Sequence, residues 1–168
     1  MEIWYLITLI GTPEFWLAFT GVLVLAYLFI RRRIPQETRR FVRHGILIFI
    51  ISLWVTAGIA FSLKYSIPIE RPCVPCAEGI TECNPYCMED NSFPSGHTAV
   101  IFCVVTSVLL VFRKKKLIVL FAVSFLVALS RYFLRVHYPV DILTGAVIGT
   151  FVPIIVYEIY RKRSGFVS

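Results

Sequence analysis

The sequence is poor in charged residues, which make up only 16% of its 168 residues. An ordinary soluble domain carries roughly a quarter. Hydrophobic residues reach 58% and the mean hydropathy is +0.78. This balance excludes both a water-soluble globule and a disordered chain, and leaves a membrane protein. Because the sequence also lacks internal repeats and low-complexity tracts, residues 1–168 are predicted to form a single membrane-embedded domain.

Long apolar runs take the place of the missing charge. A helix needs about 20 apolar residues to cross the hydrocarbon core. Five runs approach this length, which predicts an all-α helical bundle with five transmembrane helices. The runs are residues 14–30, 41–63, 97–112, 117–134 and 140–160. Residues 1–12 are apolar but too short to cross, and they lack the basic start of a signal peptide, so they predict a short interfacial helix.

The basic residues indicate the orientation, because Lys and Arg concentrate in short cytoplasmic loops. Thirteen of the 17 basic residues follow the first, third and fifth spans, at positions 31–43, 113–116 and 161–163. This placement predicts a multi-pass protein of the cytoplasmic membrane with its N-terminus outside. It also removes nucleic acid as an explanation for the net charge of +7. The remaining four are Lys64, Arg71, Arg131 and Arg135, all on the predicted outer side.

Five residues of the outer connections form a predicted phosphate site. Lys64, Arg71 and Arg131 supply three cations, and guanidinium groups match phosphate oxygens in pairs. Ser95 and Gly96 lie where the third span begins. Because N–H groups at a helix N-terminus bind anions, these two residues add main-chain donors.

Two histidines add the groups needed for phosphoryl transfer. His137 and Asp141 are four residues apart across Pro139, where a helix can start. The carboxylate can then accept one imidazole N–H and leave the other ring nitrogen free to attack. His97 is a separate imidazole that can act as an acid. Together with the cations, these residues indicate a phosphoryl-transfer centre.

These residues lie in three segments of the sequence, residues 64–72, 94–97 and 130–141. The segments resemble the signature motifs of the type 2 phosphatidic acid phosphatase (PAP2) superfamily, which are K-x6-RP, PSGH and SR-x5-H-x3-D. Every defining position matches, from Lys64 to Asp141. The resemblance implies a PAP2-like membrane bundle, although membrane members commonly have one span more. It implies that His137 attacks phosphorus to form a phosphohistidine, that Asp141 orients it, and that His97 protonates the leaving oxygen. The residues it implies for holding phosphate are Lys64, Arg71, Ser95, Gly96 and Arg131, with no metal or other cofactor.

We therefore expect a lipid phosphatase acting at the extracytoplasmic face. Its substrate would be a lipid phosphomonoester or diphosphate: phosphatidic acid, phosphatidylglycerophosphate, or a polyprenyl diphosphate as for an undecaprenyl-diphosphatase. Two alternatives stay open, a phosphotransferase that passes the phosphoryl group to a lipid or sugar, and a non-catalytic lipid-binding or transport protein. The expected partners are the substrate and membrane lipids, with no nucleic acid, and the sequence does not indicate an oligomeric state.

Four cysteines lie in the outer loop formed by residues 65–96, at positions 73, 76, 83 and 87. In an oxidising compartment they favour two disulfides, with three possible pairings. A nested pairing, Cys73 with Cys87 and Cys76 with Cys83, would staple the loop into a hairpin. Zinc binding is the alternative. The loop also carries Glu78, Glu82, Glu89 and Asp90, and we hypothesise that it forms a rim or lid over the phosphate site.

Overall fold

Helices dominate the computed structural model, which describes residues 2–78 and 81–165 and contains no strand among them. The α-helices are α1 (Glu2–Leu9), α2 (Pro13–Ile30), α3 (Gln36–Ser66), α4 (Gly96–Phe112), α5 (Leu120–Phe133) and α6 (Pro139–Ser164). A 3₁₀ helix, Lys115–Val119, precedes α5. The all-α prediction is confirmed, and each predicted span coincides with a helix. The helices α3 and α6 extend beyond the predicted runs because their charged ends are helical but not apolar.

Prolines and positive-φ residues mark several helix ends. Pro13 and Pro139 occupy the first turns of α2 and α6, where the missing N–H has no helical partner to lose. Gly165 ends α6 with φ 63°, a left-handed conformation that glycine adopts without strain. Arg113 ends α4 in the same region, with φ 49°. The boundary at Pro139 matters most for the predicted site, because it starts α6 two residues after His137 and so places Asp141 in the first turn of that helix.

The protein is a multi-pass membrane protein. Four of its described segments are long and apolar enough to cross a membrane, namely Glu2–Ile30, Gln36–Ser66, Lys115–Phe133 and Pro139–Ser164. Large apolar side chains on their outer surfaces are exposed, for example Leu143 at 66% and Phe151 at 57%. Contiguous exposure of this kind suits contact with lipid and not with water. With 17 residues, α4 is shorter, and it is the central helix, with 11 of those residues buried.

Helix α6 packs closely on α4 through two glycines. A Cβ on Gly149 would lie 2.2 Å from the carbonyl oxygen of Ala99, and one on Gly145 would lie 2.6 Å from that of Ser95. The main-chain N–H of Ser95 donates to the carbonyl oxygen of Asp141 over 3.1 Å. Small residues allow such close approach of helices within a membrane. The first turns of α4 and α6 are therefore held side by side.

The loop between α3 and α4 is stapled by two nested disulfides. Cys73 is bonded to Cys87, and Cys76 to Cys83, so the hairpin pairing is the one that forms and the zinc alternative does not apply. The side-chain amide of Asn84 donates to the carbonyl oxygen of Leu134 over 2.7 Å. This contact fixes the stapled loop to the end of α5, on the side of the bundle where α4 and α6 begin.

Replacing Gly149 with alanine should lower the melting temperature of the detergent-solubilised protein. The added Cβ cannot be accommodated unless α6 moves away from α4, and overpacking of this kind costs about 1–3 kcal/mol. Gly58→Ala is the matched control, because a Cβ at Gly58 meets nothing within 4 Å. Alanine is favoured over glycine in a helix, so this variant should melt at or above the wild-type temperature. Equal melting temperatures for the two variants would contradict the packing described here.

Candidate active site

The predicted site residues converge at one end of the bundle, around a cavity of about 320 Å³. Six of the eight line it, and Ser95 and Asp141 are buried outside its lining. The six lining residues are Lys64, Arg71, Gly96, His97, Arg131 and His137. Three motifs, the last of which is separated from the other two by the helices α4 and α5, are therefore assembled into one pocket.

His137 and Asp141 form a buried pair at the start of α6. The Nδ1 atom of His137 lies 3.4 Å from Oδ2 of Asp141. That same oxygen accepts the main-chain N–H of Tyr138 over 2.8 Å and the hydroxyl of Ser92. The Ser92 hydroxyl also lies 3.5 Å from Nδ1 of His137. The carboxylate thus has three partners, and one of them, Ser92, is a residue that the sequence analysis did not identify.

The contact between Arg71 and His137 determines the tautomer of the imidazole. Nη1 of Arg71 lies 3.2 Å from Nε2 of His137. A guanidinium group has only donors, so Nε2 must be the acceptor and carries a lone pair. In the neutral ring the proton is then on Nδ1, directed towards Asp141. The unprotonated nitrogen is therefore the one that contacts Arg71, and both residues line the cavity.

Burial lowers the pKa of His137 to about 4. The hydrogen bond with Asp141 acts in the opposite direction, while the charges of Arg71 and Arg131 lower the pKa further. The ring is therefore neutral at physiological pH. A neutral imidazole with a lone pair on Nε2 is in the state that a nucleophile requires.

Lys64 and Arg71 share a carboxylate that the sequence analysis placed in the loop without assigning it a contact. Asp90 Oδ2 lies 2.7 Å from Nζ of Lys64, and its Oδ1 lies 2.5 Å from Nη2 of Arg71. Burial raises the pKa of Asp90, but the hydrogen bonds and charges of Lys64 and Arg71 outweigh burial and hold the pKa below its usual value. The carboxylate is therefore ionised at neutral pH.

Arg131 contacts the N-terminal helix. Its Nη1 donates to the hydroxyl of Thr8 over 2.8 Å, and both residues are buried. Within residues 2–78 and 81–165, Nε of Arg131 has no hydrogen-bond partner. Helix α1 thus holds one residue of the cavity lining in place, a role for which an ordinary threonine in an apolar segment gives no sequence signal.

The main-chain N–H of Ser95 is not available to a phosphate, contrary to the expectation from the sequence. That N–H is already bonded to the carbonyl oxygen of Asp141, and the Ser95 hydroxyl accepts from Thr98 over 3.0 Å. Gly96 and His97 form the first turn of α4 and line the cavity. Ser95 therefore joins α4 to α6, and a contact of its side chain with phosphate stays a prediction.

Known proteins resemble this chain in sequence and in fold. The model of the PAP2 superfamily matches residues 45–164. The bacitracin transport permease protein BcrC of Bacillus licheniformis is 37% identical over 75 residues, which cover 45% of this chain and 36% of that protein. YbjG of Escherichia coli (strain K12), provisionally named an undecaprenyl-diphosphatase, is 32% identical over 99 residues, which cover 59% of this chain and 48% of that protein. The chain thus spans less than half the length of these curated relatives.

Two solved structures share the fold. The crystal structure of a transmembrane PAP2-type phosphatidylglycerolphosphate phosphatase from Bacillus subtilis matches 99% of this chain and 79% of that chain, with a TM-score of 0.73 and 24% identity. The crystal structure of Aquifex aeolicus LpxE matches 94% of this chain and 93% of that chain, with a TM-score of 0.53 and 26% identity. The overall arrangement of the helices is therefore shared with these two proteins.

Replacing Ser92 with alanine should slow phosphate release from a lipid phosphate and leave KM nearly unchanged. The variant removes one of the donors that fix Asp141, and a hydrogen bond to a charged group contributes about 1.5–3 kcal/mol. We expect kcat to fall by roughly tenfold or more. Ser124→Ala is the control, because Ser124 is equally buried and its hydroxyl has no partner in the described residues. A Ser92→Ala enzyme as fast as Ser124→Ala would show that Ser92 does not position the pair.

Proposed function

The chain belongs to the PAP2 superfamily, and from that premise we propose that it is an integral-membrane lipid phosphatase. One observation carries the proposal: the unprotonated Nε2 of His137 contacts Arg71, one of the three cations that line the same cavity as His137. Binding an anion would require only the cations. A buried, oriented and neutral imidazole is the additional group that makes the pocket suited to reaction at phosphorus.

In the proposed reaction His137 is the nucleophile and His97 the acid. Nε2 attacks phosphorus, a P–N bond forms, and the P–O bond to the lipid breaks as His97 gives a proton to the departing oxygen. Water then attacks the phosphohistidine and returns a proton to His97. The P–N bond breaks, phosphate leaves, and the lone pair on Nε2 is restored. Asp141 stabilises the positive charge that the imidazole carries in the intermediate.

The cations account for the proposed charge stabilisation without a metal ion. Lys64, Arg71 and Arg131 line the same cavity as His137, where they can stabilise the negative charge that is spread over the phosphoryl oxygens during transfer. Nε of Arg131 has no hydrogen-bond partner among the described residues, and an unsatisfied buried donor costs about 1–3 kcal/mol. A phosphate oxygen in the cavity would satisfy it.

The walls of the cavity support a lipid substrate. Below the polar groups the lining is apolar and comes from α2, α3 and α4, including Leu17, Ala57, Phe61 and Val100. An acyl or prenyl chain could pack there while its phosphate stays near Lys64 and His137. The names of the similar proteins include a phosphatidylglycerolphosphate phosphatase and an undecaprenyl-diphosphatase, so both substrate types belong in any test.

We place the site at the extracytoplasmic face of the cytoplasmic membrane. The basic clusters at residues 31–43, 113–116 and 161–163 lie at the opposite ends of the spans from the cavity. The disulfides support the same side, because they persist in oxidising compartments.

Replacing His137 with alanine should abolish phosphate release. Wild-type protein in detergent should release inorganic phosphate from phosphatidic acid, phosphatidylglycerophosphate or undecaprenyl diphosphate, in EDTA as well as without it, and orthovanadate should inhibit. The His137→Ala variant should melt like the wild type and match the blank. Full turnover by the variant would refute the nucleophile, and strict dependence on Mg²⁺ would refute the metal-free mechanism.

The same assay separates the alternatives. Phosphate that appears on a lipid or sugar acceptor, and not in water, would indicate a phosphotransferase. A wild-type protein that releases no phosphate from any member of the panel would favour transport, the activity named for the Bacillus licheniformis relative.

Cysteine labelling in intact cells should report the proposed orientation. A membrane-impermeant maleimide should label Glu2→Cys from outside, and label Lys115→Cys only after permeabilisation, because the two positions lie on opposite sides of the predicted membrane. The native cysteines give no background, since four are in disulfides and Cys103 is buried. Labelling of Lys115→Cys in intact cells would overturn the orientation.

A further inference from the structure

Asp90 binds the edge of Arg71 that an oxyanion would use. The Nε and Nη2 atoms of Arg71 both donate to Oδ1 of Asp90, over 3.2 and 2.5 Å, and Nε lies 3.0 Å from the Asp90 carbonyl oxygen. This edge of a guanidinium group is a fork that fits carboxylate or phosphate. Nη1 is directed to the carbonyl oxygen of Val136 and to His137. Arg71 can therefore bind a phosphate through Nε and Nη2 only after the Asp90 carboxylate has left.

Lys64 is engaged in the same way. Two of its three N–H donors are used, one by Oδ2 of Asp90 and one by the carbonyl oxygen of Asn91, each over 2.7 Å. One carboxylate thus takes donors from two of the three cations that the proposed function assigns to phosphate. It does so inside the cavity that His137 also lines.

The position of Asp90 allows its carboxylate to leave while the loop stays in place. Its side chain is 41% exposed, whereas those of Lys64 and Arg71 are 15% and 4% exposed. The next two residues are anchored, because the amide of Asn91 donates to the Lys64 carbonyl oxygen and the N–H of Ser92 donates to the Ile69 carbonyl oxygen. A rotation of the Asp90 side chain towards solvent is therefore enough to remove the carboxylate from both cations, while the main-chain oxygens of Asp90 and Asn91 stay bonded to Arg71 and Lys64.

We propose that Asp90 is a resident anion of the phosphate site, which a substrate must displace from Lys64 and Arg71. The proposal rests on the proposed function for the identity of the incoming anion. Displacement makes the site selective for charge. A phosphomonoester carries about −1.5 to −2 at neutral pH, and gains more from the cations than the single charge of a carboxylate. A phosphodiester headgroup carries a single charge and gains nothing by the exchange.

Asp90 therefore excludes the phosphodiester lipids that surround the protein. Specificity can arise from a contact that competes against the wrong ligand as well as from contacts that favour the right one. In this site the Asp90 side chain has both effects. It keeps Lys64 and Arg71 paired when the site is empty, and only an anion of higher charge displaces it.

Binding of inorganic phosphate tests the proposal without turnover. Titration calorimetry in detergent should give a Kd for Asp90→Asn at least about tenfold lower than that of the wild type, a difference of about 1.4 kcal/mol. Glu89→Gln is the matched control, since it removes the same charge from the neighbouring exposed residue. Its Kd should equal that of the wild type. An unchanged or weaker Kd for Asp90→Asn, or an equal gain in Glu89→Gln, would overturn the proposal.

A phosphodiester lipid tests the selectivity. Short-chain phosphatidylglycerol in the micelles should not compete with phosphate for the wild type, but should compete for Asp90→Asn. Absence of competition in the variant would refute the charge filter. If the wild type hydrolyses no lipid phosphate, the proposed function fails, while these binding measurements still decide the role of Asp90.

Folding of the variant is a further readout. Asp90→Asn leaves two largely buried cations unpaired, so its melting temperature without phosphate should fall, and phosphate should raise it more than it raises that of the wild type. Asp90→Ser, purified in phosphate, provides a second variant. Failure of saturating phosphate to keep either variant folded would contradict the proposal, because phosphate could then not take the place of the carboxylate.

Discussion

The contact between the first turns of α4 and α6 is the constraint on which the site depends. The N–H of Ser95 bonds to the carbonyl oxygen of Asp141, and Gly145 and Gly149 remove the side chains that would keep the helices apart. His97 follows Ser95 by two residues, and His137 precedes Asp141 by four. A single junction therefore sets the spacing between the two imidazoles, although complete spans separate them in sequence. The first turn of α4 and His137, which lies two residues before α6, therefore line the same cavity.

Positive charge is concentrated around this cavity, and the protein compensates it only in part. Lys64 and Arg71 share the carboxylate of Asp90, but Arg131 has the neutral hydroxyl of Thr8 and an Nε without a partner in the described residues. Removing charges from water without full pairing costs free energy, and the cost is recovered when an anion enters. The same incomplete pairing that weakens the empty protein thus strengthens its hold on a dianion. Stability and affinity are coupled through these few side chains.

The sequence predicts the site better than its surroundings, for identifiable reasons. The motif residues lie at the ends of spans, so the topology alone brings them to one face, and Pro139 marks the helix start that pairs His137 with Asp141. The partner of the cations could not be read in this way. The five acids of the outer loop, Glu70 included, are chemically similar, and the path of the disulfide-bonded chain selects Asp90. The disulfide pairing itself was one of three possibilities. For Ser95 the sequence predicts a contact that the structure replaces: its N–H is expected to bind phosphate, but it joins two helices.

Helix α1 shows how a segment too short to cross a membrane can complete a site within one. Trp4 stacks on Phe133 with ring centroids 4.6 Å apart, Tyr5 stacks on Tyr86 of the stapled loop at 4.9 Å, and Thr8 binds Arg131. These contacts hold α1 against the end of α5 and join the first helix to the loop. The remaining lining comes from α2, α3 and the start of α4, where apolar side chains lead from the cations towards the lipid-facing surface. A substrate whose chain is in the bilayer can therefore reach His137 from that side, while the loop and Asp90 face the water.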